Sequence, residues 1–583
     1  MMAPAAMCGA GKMAQHPNQK RSVRPSRGEL AVLAVMVATV LAMGLRVVAG
    51  SESRLAFLLY DDAYYYFKVA ANLAAGAGST FDGINPTNGY HPLWCWLQIP
   101  VYSLMTDPGR ALRVIAGIWF LLAAASPLGV WWVLRRRTGA TGALLAAALF
   151  SLHPWLALHL RRPNGLETPL FAVMILLFAG LFERTMTRPG GRTVSPLRLI
   201  GLGLVLGLVI LARVDGGFLA VAAALLLAAH LRRTAEFAAA LKGVATLALA
   251  AGVVAGPSLA WNTLAFGSPV PISGRIVTAW QEPARRELGA PLGGPFVRER
   301  LAMATHRLPR RLASYAVGGT PAADMVWRSG RTGGMLILLA GAGLAGVALA
   351  CRRRDGPLKV DAVTLLLAFA TFHGLAYAAW FWAGGEVIFR LYYFVPQSLA
   401  GAVVLGAVFG PTLDGLLPGR RLRMAVCAVV TVAMATWAAV VASGHLASVD
   451  DTPGKVSRHH IYGWVDTHLP ANAVLGQIGS GRMGYFSGRP AVDLDGLSND
   501  QRFLAALRGD ALDSYVALSP ITHLVGGRAT LHGFDPAHPD RPPRERIDLG
   551  EILYRLAQRH KCELHEVPGA PGTWVVIELG CPP

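Results

Sequence analysis

The chain has 583 residues, of which 53% are hydrophobic and only 15% charged, and it carries a net charge of +20. A soluble globular chain carries about 25% charged residues, so the composition excludes an ordinary soluble enzyme. The excess of Lys and Arg would suit a nucleic-acid partner, but its placement excludes that reading. The clusters Arg135–Arg136–Arg137, Arg232–Arg233, Arg352–Arg353–Arg354 and Arg420–Arg421 separate apolar runs, which is the positive-inside pattern of cytoplasmic loops.

Residues 1–28 are polar and basic (Lys12, Lys20, Arg21, Arg24, Arg27) and read as a disordered cytoplasmic tail. The apolar run at 29–50 is too long for a signal-peptide core and reads as a retained signal-anchor helix that exits outward. A mixed segment, 51–110, follows outside. Further spans are predicted at 111–134, 139–159, 166–182, 197–213, 216–231, 241–264, 332–350, 360–382, 392–412 and 423–443. Each is near the length that crosses a ~30 Å hydrocarbon core. With the first, about eleven spans put the N-terminus inside and the C-terminus outside, and every basic cluster then falls inside. The transmembrane domain is 29–444, with long outside segments at 51–110 and 265–331.

The tail, 445–583, differs from the rest. Short strand-like runs (473–478, 491–494, 523–525, 574–579) alternate with helical stretches near 500–518 and 548–560. The fold class expected is therefore a polytopic α-helical membrane protein with a C-terminal extracytoplasmic α/β domain. Arg outnumbers Lys, and Ala and Gly are abundant, which points to a GC-rich bacterial genome and so to the bacterial inner membrane. Cys95, Cys351 and Cys427 read as packing residues. Cys562 and Cys581 lie in the outside tail, where a disulfide between them would persist, and no spacing resembles a zinc site.

The most informative stretch is DDAYYYFKVAANLAAGAGSTFDGINPTNGYHPLW, residues 61–94. Apolar residues Ala63, Tyr66, Phe67, Ala70, Leu73 and Ala74 follow helical spacing from Asp62 to Ala75. The helix is too polar to span and is expected to lie in the interface plane. Asp61, Tyr65, Lys68 and Asn72 share its opposite face. The Asn-Pro-Thr-Asn-Gly run at 85–89 is turn chemistry that returns Tyr90, His91 and Trp94 toward the membrane. A carboxylate in a half-dry cleft can take a proton from an acceptor hydroxyl. The same pair can instead cap the helix and complement its dipole. Capping weighs at least equally for Asp62, whereas function is the favoured reading for Asp61. Adjacent carboxylates could also hold a divalent cation, although nothing in the spacing compels a cofactor.

This acidic pair after the first span, with its helix and Gly-Tyr-His-Pro-Leu-Trp return, resembles the bacterial GT-C superfamily of polytopic glycosyltransferases. Relatives include protein O-mannosyltransferases, lipid A aminoarabinose transferases and arabinofuranosyltransferases. NGLETPLF (164–171), ARVDGGF (212–218), GSPVPISGR (267–275) and GYFSGRPAVDLDGLSND (484–500) extend the resemblance over residues 30 to 500. It implies a hexosyl- or pentosyltransferase that takes a sugar from a polyprenyl-phosphate carrier and gives it to a glycan, lipid or protein acceptor outside the cytoplasm. It also implies a first-loop catalytic base, matched by Asp61 or Asp62, and a second-loop acidic hydroxyl ligand, matched by Glu167.

A departing lipid phosphate needs cations beside it. Arg161 and Arg162, at the outer end of the third span, are candidates for that phosphate or for membrane-lipid headgroups. Arg390, followed by Tyr392 and Tyr393, is the preferred phosphate ligand, because the planar guanidinium fork can hold two oxygens. Tyr65, Lys68, His91 and Tyr392 complete the expected binding set. Arg213 and Asp215 read as a local ion pair in preference to a group that serves catalysis, and Asp493 and Asp495 as turn caps in preference to ligands of a polar acceptor. The competing classes are a transporter or flippase of lipid-linked sugars and an inactive envelope-assembly protein. Charges at loops and span ends, rather than at mid-membrane, favour the enzyme.

Overall fold

A computed structural model of the protein describes residues 24–153, 163–187, 194–233, 237–280, 282, 286, 289–290, 292–302, 360–384, 391–450, 458–509, 511–527, 561–567 and 574–579. Arg161, Arg162, Arg390, Cys351, Cys581, the expected span 332–350 and the helical stretch 548–560 lie outside the described residues.

Within the described residues, the expected spans fall on helices. The chain runs α1 (Arg27–Val48), α2 (Glu52–Leu58), α3 (Asp61–Ala74), α4 (Pro92–Leu104), α5 (Pro108–Leu152), α6 (Thr168–Met186), α7 (Pro196–Ala212), α8 (Gly216–Arg232), α9 (Phe237–Phe266), α10 (Ile272–Ala279), α11 (Gly294–Ala302), α12 (Ala362–Gly384), α13 (Val395–Leu416) and α14 (Arg420–Asp450). Among the described residues, six segments are long and apolar enough to cross a membrane, and α7, α8 and part of α12 are shorter apolar helices. Helix α5 takes up two expected spans, broken at Gly139, where φ is +75° and a side chain would be strained. Small residues bring helix backbones close: a Cβ on Gly142 of α5 would lie 2.5 Å from the Gly406 carbonyl of α13, and one on Gly203 of α7 would lie 2.5 Å from that of Leu247 on α9. Such contacts hold helices together where lipid removes the hydrophobic drive between them.

The basic clusters do more than set topology. Glu29, in a capping box at the start of α1, is buried and accepts from Arg135 (2.6 Å), Arg420 (3.0 Å) and Trp131 (3.1 Å). Arg137 bonds Glu183 at 2.6 Å and lies 3.6 Å from Asp361. These pairs tie α1, α5, α6, α12 and α14 at one end of the bundle.

At the opposite end sits the α/β unit: α15 (Arg458–His468), β1 (Leu475–Gln477), α16 (Gly481–Phe486), β2 (Ala491–Asp493), α17 (Gln501–Arg508), α18 (Leu512–Leu518), β3 (His523–Gly527), β4 (Lys561–Glu566) and β5 (Trp574–Leu579). The five-stranded sheet has the order β2-β1-β3-β5-β4, with β1 parallel to both β2 and β3, and with β5 antiparallel to β3 and β4. Alternation along the strands feeds two cores. Val492, Leu494, Leu524 and Ile577 pack with Phe503, Leu507, Ile272 and Ile276 of α10, and Trp280 just after it. Leu475, Ala491, Val525 and Val576 pack with Ile461, Val465 and Met483.

Helix α3, expected to lie in the interface plane, is covered by protein on its polar face as well as its apolar one. It packs between α4 and α16, with Ala63, Tyr64, Tyr65, Phe67 and Ala70 all buried. Amphipathic spacing identifies a polar face but not what covers it, and here the cover is the α/β unit. Residues 272–279, read only as part of an outside segment, form α10, which carries that unit on its apolar side.

Candidate active site

The two carboxylates at the start of α3 are one residue, hence about 100° of helix, apart, and they part company. Neither caps its own helix, whose N-cap is Tyr60. Asp61 accepts from the amides of Gly481 (2.9 Å) and Arg482 (3.1 Å) and from the Arg482 guanidinium (3.3 Å). Arg482 also donates to the carbonyls of Ala56 (3.0 Å) and Leu59 (2.5 Å). Burial pushes the Asp61 carboxyl up to about 6, with Arg482 and the amides pulling it back, which leaves it ionised at neutral pH. Asp61 therefore fastens α3 to α16.

Asp62 faces a cavity of about 560 Å³ between the bundle and the α/β unit, and Tyr392 Oη donates to its Oδ2 at 3.3 Å. Tyr65, Tyr66 and His91 also line this space, as do Glu167, Arg213, Asp215, Tyr377, Trp380, Tyr393, Trp280 and Asp495. The structure thus gathers Asp62, Tyr65, His91, Glu167 and Tyr392 around one cavity. Lys68 and Asp61 are not on its lining. Lys68 is half-buried, without an ion pair among the described residues, and burial lowers its pKa.

Glu167 is held by the local sequence. Asn164 Oδ1 accepts from the Leu166 amide (3.0 Å), and Gly165, at φ +75°, leaves no room for a Cβ, which would sit 2.7 Å from that of Ala63. The indole N–H groups of Trp94 and Trp119 pin the carbonyls of Gly165 (2.9 Å) and Leu166 (3.0 Å). Glu167 then bonds the buried Arg213, which also holds Asp215 through Nε (3.0 Å) and Nη2 (2.8 Å). Tyr377 Oη donates to Asp215 at 2.9 Å, and His373 lies 3.8 Å from it. Arg213 and Asp215 are therefore a local pair and also part of the cavity wall. Sequence reasoning ranks the second role below the first because the link to Glu167, 46 positions away, is not visible in it. His91 Nε2 is 3.7 Å from Glu167, and burial depresses its pKa, favouring the neutral imidazole. Among the described residues, Glu167 Oε2 and His91 Nδ1 are buried without hydrogen-bond partners, which suits a polar ligand at this wall.

The α/β unit supplies the remaining wall. Tyr65 Oη donates to Asp493 (3.2 Å) and Asp495 (3.4 Å), and Trp280 Nε1 donates to the Asp495 carbonyl (3.0 Å). Asp493 is consumed by a turn, accepting from the amide (2.8 Å) and hydroxyl (3.1 Å) of Ser498. Asp495 accepts from the Gly479 amide (3.1 Å) but also reaches the cavity. Burial, then Asp493 and Asp62, raise its pKa well above the usual carboxylate range. Among the described residues no three His, Cys, Asp or Glu side chains are grouped to hold a metal ion. A cation shared by Asp61 and Asp62 does not fit, because Asp61 is turned to the α16 amides.

A family described as a domain of unknown function (DUF8728) matches residues 451–538. No curated protein matches the chain. Among solved structures, ArnT from Cupriavidus metallidurans bound to undecaprenyl phosphate is similar over 95% of this chain and 98% of its own, with a TM-score of 0.55 and 13% identity. The same protein in the apo state gives a TM-score of 0.52 at 13% identity, over 94% and 98% of the two chains. The oligosaccharyltransferase of Archaeoglobus fulgidus, tethered to an acceptor peptide, gives 0.51 at 13% identity, over 95% of this chain and 74% of that one. Both relatives are GT-C proteins, and at this identity the likeness is one of fold. The chain is a polytopic α-helical membrane protein with the GT-C fold.

Proposed function

We propose that the protein is a glycosyltransferase of the bacterial inner membrane that moves a sugar from a polyprenyl-phosphate carrier to an extracytoplasmic acceptor. The N-terminus is cytoplasmic in this reading, and the α/β unit lies outside. The observation that carries the proposal is the Asp62 carboxylate on a cavity of about 560 Å³ built jointly by the bundle and the α/β unit. Asp62 takes the proton of the acceptor hydroxyl as that oxygen attacks the anomeric carbon. The bond from that carbon to the phosphate oxygen breaks, and the lipid phosphate leaves with the electron pair. Asp62 replaces Asp61 as the base, because Asp61 is engaged by three N–H donors at the domain junction.

Glu167 and His91 bind sugar hydroxyls through their unpartnered atoms. Tyr65 and Tyr392 orient the carboxylates of Asp495 and Asp62. Arg390 remains the proposed phosphate ligand, supported by its place in the chain next to the cavity residues Tyr392 and Tyr393. Arg161 and Arg162 remain candidates for phosphate or headgroups. The testing experiment is lipid-linked sugar transfer by purified Asp62→Asn: retained wild-type turnover removes the base and the proposal with it.

A further inference from the structure

About 26 Å along α6 from Glu167, at the end of the bundle remote from the cavity, lies a second pocket of about 530 Å³. It is set between α5, α6 and α7, and Arg136, Arg184 and Arg198, one from each helix, line it with Leu181 and Leu202. The Arg184 guanidinium stacks 4.5 Å over the Trp132 ring. The positive-inside rule accounts for arginines at this end, but it does not require them to converge on one hollow.

The neighbouring arginines are neutralised. Arg135 bonds Glu29 (2.6 Å), and Arg137 bonds Glu183 (2.6 Å). Arg136, Arg184 and Arg198 make no ion pair among the described residues, and the connecting sequence 188–193 contains no acidic residue. The two threonines on the lining, Thr185 and Thr187, spend their hydroxyl protons on the carbonyls of Leu181 and Glu183 (2.8 Å each). The guanidinium groups are therefore the donors the lining offers, and they suit an anion rather than a neutral sugar.

The two helices that carry Arg184 and Arg198 also expose apolar side chains beside the pocket-lining positions. Leu197, Ile200 and Leu204 form an exposed stripe on α7, and exposed Leu177 lies two turns from Arg184 on the same face of α6. A free anion would need no such stripe, whereas the acyl chains of a lipid would lie along it.

We propose that this pocket binds the phosphate headgroup of an anionic phospholipid in the leaflet opposite the cavity, with the acyl chains along Leu177 and the α7 stripe. The site is independent of the transfer reaction. The test is binding of phosphatidylglycerol to the purified full-length protein, read by native mass spectrometry and by thermal stabilisation in detergent. Phosphatidylcholine and inorganic phosphate serve as comparison ligands.

The expected result is selective retention of phosphatidylglycerol, weakened roughly 100-fold in the triple variant R136Q/R184Q/R198Q. Single variants R136Q and R198Q, which keep two arginines, should each weaken it about 5-fold; they carry the test if the triple variant does not fold. Equal retention of phosphatidylcholine, or unchanged binding in the variants, overturns the proposal. Equal stabilisation by inorganic phosphate alone would show a free-anion site and overturn the lipid assignment.

Discussion

Replacing Asp61 with Ala tests the reading of that residue as a fastening between α3 and the α/β unit. The substitution removes the acceptor of two backbone amides, Gly481 and Arg482, and of one guanidinium. Each amide bond contributes about 1 kcal/mol net. The guanidinium contact, between side chains 19% and 23% exposed, is partly screened and adds no more than about 0.5 kcal/mol. The junction should therefore lose about 2–2.5 kcal/mol. Hydrogen exchange of the purified protein reads this locally, because segments open with their own free energies. Amides of residues 479–486 should exchange about 30- to 60-fold faster, while those of α5 and α6 keep their protection. Asp61→Asn retains one acceptor oxygen and should fall between Ala and wild type. If exchange at 479–486 is unchanged in Asp61→Ala, the carboxylate does not fasten the domains and its exclusion from catalysis loses its basis.

Gly481→Ala should loosen the same junction, by about 1–3 kcal/mol, since the new Cβ would lie 2.2 Å from the Asp61 carbonyl; melting temperature and exchange at 479–486 check it. Burial holds the Asp61 carboxyl at about 6 in the folded protein, above the ordinary aspartate value of about 3.8. Proton binding therefore favours the folded junction: this contribution is full below about pH 4 and is lost as pH rises through about 6. A stability–pH profile should show the decline in wild type and lack it in Asp61→Asn. Glu167→Ala leaves the buried Arg213 with Asp215 as its remaining carboxylate partner among the described residues. It should cost about 3 kcal/mol, measured by thermal unfolding, whereas Glu167→Gln should cost less and mainly weaken substrate binding.

What the sequence revealed follows from what each signal encodes. Apolar length marks a span whatever its neighbours, so α1, α9 and α14 are legible, and the Arg135–Arg136–Arg137 cluster divides the apolar run of α5 into the two expected spans. Amphipathic spacing located α3 within a residue but left open whether water or protein covers its polar face; the cover is α16 and the Asp493–Asp495 turn. A short helix such as α10 carries too few periods to stand out in a Pro/Gly-rich segment.

At the site, the first-loop motif points to the helix turn whose Asp62 lines the cavity, yet spacing alone does not choose between neighbours about 100° apart. Arg213 and Asp215 looked self-sufficient because a pair two residues apart satisfies itself on paper. Their tie to Glu167 exists only once α6 and α7 pack. Asp495 was legible as a turn residue, and its place on the cavity wall depends on docking of the α/β unit against Trp280 and Tyr65.

The most direct test of the central claim is turnover by Asp62→Asn. Purified wild type, Asp61→Asn and Asp62→Asn would be supplied with lipid-linked sugar donors extracted from membranes, and release of polyprenyl phosphate would be followed. Asn is nearly isosteric and can still accept from Tyr392 Oη, so melting temperature should stay at the wild-type value while Asp62→Asn slows transfer by about two to four orders of magnitude. Asp61→Asn, whose loss falls on the domain junction, should retain far more activity. Transfer at the wild-type rate by a folded Asp62→Asn, or a dead Asp61→Asn beside an active Asp62→Asn, would contradict the account.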